Sequence, residues 1–266
     1  MIESDYSIIA NVPLKIAHIS DLHNRDGRAA IESMTRRKPD VIAITGDIVL
    51  RRRVRGDKLI VEKERNVLPF LSACANIAPT YMCLGNHEQM LCRDDIQRIS
   101  RTGVKVLDNC WAEEEDFAIG GLTSAYVSKY RSLRKSGDGQ RYPVRIPIVQ
   151  PEMQEKDYAW LDEFVEVPKF KILLSHHPEY WSLKEPMLVN RDIDLVLSGH
   201  AHGGQFRFFD QGVYAPGQGW WPKYTGGIHW GENGRIIISR GMANTAKMIP
   251  RLFNPTEIVY VHMYVE

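Results

Sequence analysis

Eight side chains of metal-ligating type stand directly behind five short apolar runs. Residues 14–19 lead into Ser20-Asp21-Leu22-His23, and residues 41–45 into Gly46-Asp47. Residues 81–84 lead into Gly85-Asn86-His87-Glu88, and residues 170–174 into Ser175-His176-His177. Residues 195–197 lead into Ser198-Gly199-His200-Ala201-His202. Singly, these are weak signals. An Asp at a strand end commonly caps the next turn, Gly-Asp is an ordinary turn, and a lone His176 reads as a satisfied core or surface histidine. His200 and His202 say more, because alternate residues on extended backbone point to the same side. Together the groups are hard to assign to chance: five of the nine histidines (His23, His87, His176, His200, His202), Asp21, Asp47 and Asn86 all follow buried runs. Carboxylate, imidazole and amide donors suit Mn, Fe or Zn and do not suit thiophilic metals. Eight candidates exceed the needs of one tetrahedral ion. They fit two divalent ions that share a ligand and clamp the attacking and leaving oxygens of a phosphoryl transfer.

Elements of a particular kind must position such a set. Apolar runs this short read as strands buried on both faces. Helix-like stretches lie between them, near residues 28–38, 59–76, 92–102 and 152–166; the last carries Tyr158, Leu161, Phe164 and Val165 at a spacing of three to four. Strand alternating with helix predicts an α/β domain whose ligand groups meet at one edge of the sheet. After residue 204 the pattern turns strand-rich, at residues 206–209, 236–240 and 257–264. These segments predict a second sheet, so the expected fold is two mixed sheets packed as a sandwich flanked by helices. With no repeat and no Pro/Gly-rich linker, residues 1–266 read as a single domain.

Bulk composition is permissive. Thirty-four Lys and Arg against 33 Asp and Glu leave a formal charge of +1, so no global field points to nucleic acid. The four cysteines, Cys74, Cys83, Cys92 and Cys110, show no C-x-x-C spacing and are read as reduced thiols of a cytoplasmic protein. Neither a leader-like N-terminus nor an apolar run of about 18 residues is present, so no integral membrane segment is expected. No feature calls for an obligate protein partner.

In order and content, Asp21-x-His23, Gly46-Asp47, Gly85-Asn86-His87-Glu88, His176 and Gly199-His200-x-His202 resemble the motifs of the calcineurin-like metallophosphoesterases. The resemblance runs from about residue 14 to the C-terminus. Gly203-Gly204-Gln205, Ser239-Arg240-Gly241 and Arg251-Leu252-Phe253-Asn254 are similar to a bacterial branch that includes membrane-associated phosphodiesterases and UDP-diacylglucosamine pyrophosphatases. This resemblance implies a hydrolase of phosphate esters or anhydrides, most naturally of a phosphodiester or pyrophosphate. It implies one metal held by Asp21, His23, Asp47 and His202, and a second held by Asp47, Asn86, His176 and His200, with Asp47 bridging. His87, left without a metal, becomes the candidate to protonate the leaving oxygen, with Glu88 as its orienting partner. The substrate class implied is a phosphorylated small molecule or nucleotide. The alternatives are a metal-binding scaffold without catalysis and a nuclease of the same family.

Other features carry weaker expectations. His177 reads as a structural or outer group behind its neighbour, and His18 as a hydrogen-bonded core histidine. Arg51, Arg52 and Arg53, with the basic stretch 129–145, read either as solvated loops or as a rim that meets substrate phosphate. Tyr214, Trp220, Trp221, Tyr224 and Trp230, spaced among glycines, read first as loop packing.

Overall fold

The computed structural model describes residues 1–50, 59–134, 151–243 and 251–265. In chain order its strands begin with β1 (Ile2–Ile9), β2 (Leu14–Ile19), β3 (Val41–Ile44), β4 (Thr80–Cys83) and β5 (Lys105–Leu107). There follow β6 (Cys110–Glu113), β7 (Phe117–Leu122), β8 (Phe170–Ser175) and β9 (Leu195–Ser198). Four two-residue strands come next: β10 (Arg207–Phe208), β11 (Gln211–Gly212), β12 (Tyr214–Ala215) and β13 (Gly219–Trp220). The last are β14 (Gly227–Trp230), β15 (Arg235–Ile238) and β16 (Glu257–Tyr264).

Two six-stranded mixed sheets result. One runs β1-β16-β2-β3-β4-β5, the other β14-β15-β9-β8-β7-β6. Strands β2 to β5 are mutually parallel, as are β7, β8, β9 and β15. Alternation along each strand sorts the core into layers. Val41 and Ala43 of β3 join Ile172, Leu174, Leu195 and Leu197 between the sheets. Ile42 and Ile44 face the other way and pack with Met34, Phe70 and Leu71 of the flanking helices. Across the second sheet, Leu173, Val196 and Ile236 pack with Leu161, Phe164 and Trp181. The sandwich flanked by helices is therefore present.

Its assembly differs from the expectation in three respects. Strand β16 lies in the first sheet between β1 and β2, not in a closing second sheet. The second sheet is built instead on β7, β8 and β9, two of which carry ligand candidates at their ends. The expected strand at 206–209 is only one arm of the β10–β11 hairpin.

The helices also divide more finely. The stretch 59–76 forms α1-independent turns: after α1 (Arg28–Arg37), α2 (Ile60–Lys63) stops before α3 (Val67–Ile77) begins. Pro69 gives the reason, because it is tolerated in the first turn of a new helix but would lack its donor inside a continuous one. Helix α4 (Arg93–Ser100) matches the expected 92–102, and the Asp95 carboxylate accepts from Cys92 N–H at its start. Residues 125–134 form α5 (Ala125–Arg134), so the basic stretch begins as helix rather than loop. The stretch 152–166 is two short turns, α6 (Glu155–Tyr158) and α7 (Leu161–Phe164). No helix among the described residues is long and apolar enough to cross a membrane.

Candidate metal centre

Parallel strands end on the same edge, and the packed sheets bring two such edges together. Asp21 and His23 follow β2, Asp47 follows β3, and Asn86 and His87 follow β4. From the facing sheet, His176 follows β8, while His200 and His202 follow β9. The ends converge closely. Asp47 Oδ2 lies 3.2 Å from His176 Nε2 and 3.8 Å from both His23 Nε2 and His87 Nε2. Asp21 Oδ1 lies 3.4 Å from His202 Nε2 and 3.6 Å from His23 Nε2. His176 Nε2 and His200 Nδ1 are 3.2 Å apart.

Two buried trios emerge from these distances, Asp21/His23/His202 and Asp47/His176/His200. His23 spans both carboxylates. His87 also lies within ligand reach of Asp47 and His23, but it is the partly exposed member, with 18% of its side chain open. Seven of the eight ligand-type candidates named from the sequence fall in these groups, and Asn86 follows β4 with its Oδ1 buried; the substrate-binding candidates Arg51, Arg52 and Arg53 lie outside the described residues.

Backbone strain marks the same places. Asp21, His23, Asp47, His200 and His202 all adopt left-handed φ, between 46° and 65°. Such conformations cost about 1–3 kcal/mol each and persist where surrounding structure over-determines them. Gly46 supplies part of that determination: its φ is 85°, and a Cβ there would come within 2.4 Å of the Gly85 nitrogen. At Gly199 a Cβ would stand 2.6 Å from Asp21 Oδ2, so that loop approaches the carboxylate only without a side chain.

Outer contacts fix the ligands. His176 Nδ1 donates to Thr45 O at 2.6 Å and His202 Nδ1 to Ala243 O at 3.2 Å, which leaves each Nε2 directed at a carboxylate. Ser20 Oγ and the His200 N–H both donate to Asp21 Oδ2. Asn254 Nδ2 donates to the carbonyls of His202 and Gln205, and Arg251 donates to Ala243 O, so the C-terminal motif braces the His202 loop. The carbonyls of Thr45 and Ala243 were not legible as site groups, since any residue type supplies a carbonyl.

Glu88 departs from its expected role. Its carboxylate accepts the N–H groups of Asp47 and Gly85 at 2.8 Å each, of Ile48 at 2.9 Å and of Val49 at 3.3 Å. It clamps the Asp47 turn instead of orienting the His87 ring. Burial and the adjacent Asp47 carboxylate push Glu88 up to about 7, while its amide partners favour the anion. His18 behaves as expected: it is buried, 2.9 Å from Thr45 Oγ1, and burial lowers it to about 3.

The donor set fits divalent metal ions. Asp21 Oδ1, both His23 nitrogens and Asn86 Oδ1 are buried without a hydrogen-bond partner, a pattern that native interiors avoid. Burial opposes ionisation of Asp21 and Asp47, but the surrounding imidazoles outweigh it and hold both carboxyls well below their usual range. Against burial, Asp47 and its neighbours pull His176 up to about 10. These groups act as each other's counter-ions, a role that bound dications would take over.

The aromatic stretch divides. Tyr224 is buried and shares a 2.6 Å hydrogen bond with Ser182, in keeping with loop packing. Trp220 and Trp221 are instead exposed at 70% and 66%, and Phe209 and Phe253 are more open still. Backbone bonds from Val213 to Phe206, Trp221 to Val213 and Arg207 to Leu252 lace these segments into one shelf, and Asn254 ties the end of it to the His202 carbonyl.

Known proteins bear the same stamp. The family model for calcineurin-like phosphoesterases matches residues 14–204. The uncharacterized metallophosphoesterase YkoQ of Bacillus subtilis is 25% identical, over 89% of this chain and 78% of its own. The phosphodiesterase YaeI of Escherichia coli is 26% identical, over 87% and 76%. A dimetal phosphatase from Danio rerio superposes with a TM-score of 0.50 at 13% identity, over 86% of this chain and 88% of that one. That likeness concerns the fold. With the family's motifs filled and gathered at one sandwich edge, the chain belongs to the calcineurin-like phosphoesterase family and is a hydrolase of phosphoric esters.

Proposed function

We propose that the chain is a dinuclear-metal phosphodiesterase or pyrophosphatase, formed by one domain. Asp21, His23, Asp47 and His202 hold the first ion, and Asp47, Asn86, His176 and His200 the second. The observation that carries the reading is the place of the Asp47 carboxylate, between His23 of one buried trio and His176 of the other, at 3.8 and 3.2 Å. Two divalent ions (Mn, Fe or Zn), when bound, supply charge that polarises the phosphoryl oxygens and acidifies the attacking water.

The chain's own groups do the rest. Asp47 offsets the repulsion between the ions and is itself steadied by the His87 N–H on Oδ1 at 2.8 Å. The partly open His87 imidazole faces the approach to the site, where it donates a proton to the departing oxygen. The shelf carrying Trp220, Trp221 and Phe253 offers apolar and stacking surface to a second substituent on the phosphate. This favours diesters and anhydrides with a bulky second group over small monoesters. A family relative bearing the name phosphodiesterase supports the same preference.

The test is a substrate panel run on the metal-loaded chain. An aryl phosphate monoester, an aryl nucleotide diester and a nucleotide-sugar anhydride are compared by kcat/KM, with bound metal measured alongside. Higher kcat/KM for the diester or anhydride is expected. A clear monoester preference would overturn the substrate reading, and a stoichiometry of one ion would overturn the dinuclear one.

A further inference from the structure

Behind the second trio lies a buried polar group that the metal assignment leaves unused. Glu179 sits in the turn Pro178–Tyr180 just after His176 and His177, and is fully buried. Neither of its carboxylate oxygens has a hydrogen-bond partner, and neither does His177 Nδ1. A carboxylate removed from water without donors costs several kcal/mol, so its surroundings must compensate when the protein is complete.

Those surroundings are imidazoles. Glu179 Oε2 is 3.7 Å from His177 Nδ1, beyond a hydrogen bond but close to one. Ligand-type atoms of His177, Glu179 and His200 all lie within 4.8 Å of one another, and the rings of His177 and His200 are 4.2 Å apart.

The wiring of the His177 ring favours a proton directed at Glu179. His177 Nε2 is 2.8 Å from Ser124 Oγ, and that oxygen already accepts the Tyr126 N–H at 3.4 Å. With one lone pair turned to that amide, the hydroxyl has its hydrogen available for Nε2, and in that arrangement the His177 proton sits on Nδ1. His200 turns Nδ1 toward His176 Nε2, on the metal side. An imidazole that binds through Nδ1 carries its proton on Nε2 and needs an acceptor there. Glu179, with a ligand-type atom within 4.8 Å of one on His200, is an acceptor in that cluster that lacks donors. Ser124 in turn is tied by its N–H to Leu84 O, at the root of the loop bearing Asn86.

We infer that Glu179, backed by His177 and Ser124, is a positioning residue for the second metal ion, orienting the His200 imidazole and raising its basicity. The inference rests on the dinuclear reading above. It gives a reason for a buried acid that lies outside both proposed ligand sets. It also separates the two ions: the first trio, Asp21/His23/His202, lies outside this relay, so losing Glu179 weakens one ion selectively.

The test titrates the metal-free full chain with Mn²⁺ by calorimetry and with Co²⁺ by visible absorption. Wild type takes up two ions. Glu179→Gln, an isosteric change that removes the charge, should leave the first ion unaffected and weaken the second by about 10- to 100-fold, with an altered Co²⁺ spectrum at the second step. Glu179→Leu guards against misreading a folding defect. Replacing a buried acid that has no hydrogen-bond donors by an apolar side chain should keep or raise the metal-free thermal midpoint while the second ion still weakens. Unchanged second-ion affinity and spectrum in either folded variant would overturn the inference. So would a third ion in wild type that Glu179→Gln abolishes, since Glu179 would then be a ligand. A wild-type chain binding one ion or none refutes the dinuclear reading itself, a result read before any variant is made.

Discussion

Glu88 offers the sharpest test of how the fold holds Asp47. Its two oxygens collect four backbone N–H groups, from Asp47, Ile48, Val49 and Gly85, at 2.8 to 3.3 Å. Glu88→Gln keeps the shape but turns one acceptor oxygen into an amide donor. Whichever way that amide settles, one pair of backbone N–H groups, either Asp47 with Gly85 or Ile48 with Val49, then faces a donor. Hydrogen bonds to a charged group contribute about 1.5–3 kcal/mol each, and two are lost. Relief of a buried charge offsets part of this, leaving a net loss of about 3 kcal/mol. For a chain of this size that lowers the thermal midpoint by roughly 6–12 °C. The measurement is thermal unfolding of the chelator-treated protein, so that metal affinity does not enter. Glu88→Ala, which leaves all four amides without their acceptor, should be worse still. Metal-loaded Glu88→Gln should lose turnover, because the turn carrying Asp47 is no longer pinned. A metal-free midpoint within about 2 °C of wild type would show that the clamp is not energetic and refute the reasoning.

Three further outcomes are expected. Asp47→Asn removes the charge between the trios, so metal analysis should find at least one ion lost and assays little remaining turnover; normal stoichiometry and rate together would sink the bridging assignment. His87→Ala should keep both ions yet lower kcat by roughly 10²- to 10⁴-fold, less with activated aryl substrates, whereas His202→Ala should weaken metal binding. If the two variants lose metal alike, His87 is a ligand. His18 is held neutral by burial, with its folded value lowered to about 3 from an unfolded 6.5. The unfolded chain therefore binds the extra proton between those limits, and stability falls as pH drops below 6.5, by up to about 1.4 kcal/mol per unit. Replacing His18 by Leu should remove this component, so the metal-free variant should lose less stability than wild type between pH 7.5 and 5; equal slopes for the two would contradict this.

The site was legible in the sequence because its parts are chemically distinctive and follow strands. Asp21, His23, Asp47, His87, His176, His200 and His202 reach the cluster that the apolar runs foretold, and Asn86 stands at the end of β4 beside His87. What escaped is what depends on pairing between distant segments. Strand β16 reads as a strand from residues 257–264 alone, but only its register with β1 and β2 decides which sheet it joins. Strand β7 escaped because Gly120 and Gly121 break its apolar run, although Gly121 is needed there: a Cβ would stand 2.4 Å from the Leu107 backbone oxygen. Glu88 was assigned to its sequence neighbour when its partners lay across the turn at residues 47–49. Glu179 carried no motif signal at all. Its meaning appears only once β8 and β9 set it beside His200.

The strain at the ligands bears on how this centre is assembled. Five ligand candidates occupy left-handed φ without being glycine, and their carboxylates and imidazoles crowd together in a buried space. Neither feature stabilises the metal-free fold. Both are imposed by neighbours that have nothing to do with metal: the Gly46 and Gly199 approaches, the Glu88 clamp, and the Thr45 and Ala243 carbonyls behind His176 and His202. A preformed site of this kind requires little rearrangement when ions enter, so binding energy appears as added stability instead of being consumed in ordering loops. The thermal midpoint should accordingly rise with metal concentration well above the dissociation constant, by about 2.7 kcal/mol of stability for each ion present at 100 times that constant. Far-ultraviolet circular dichroism should hardly change over the same titration. A large gain in secondary structure on metal addition would mean that the ions build the loops, and that the clamps described here do not.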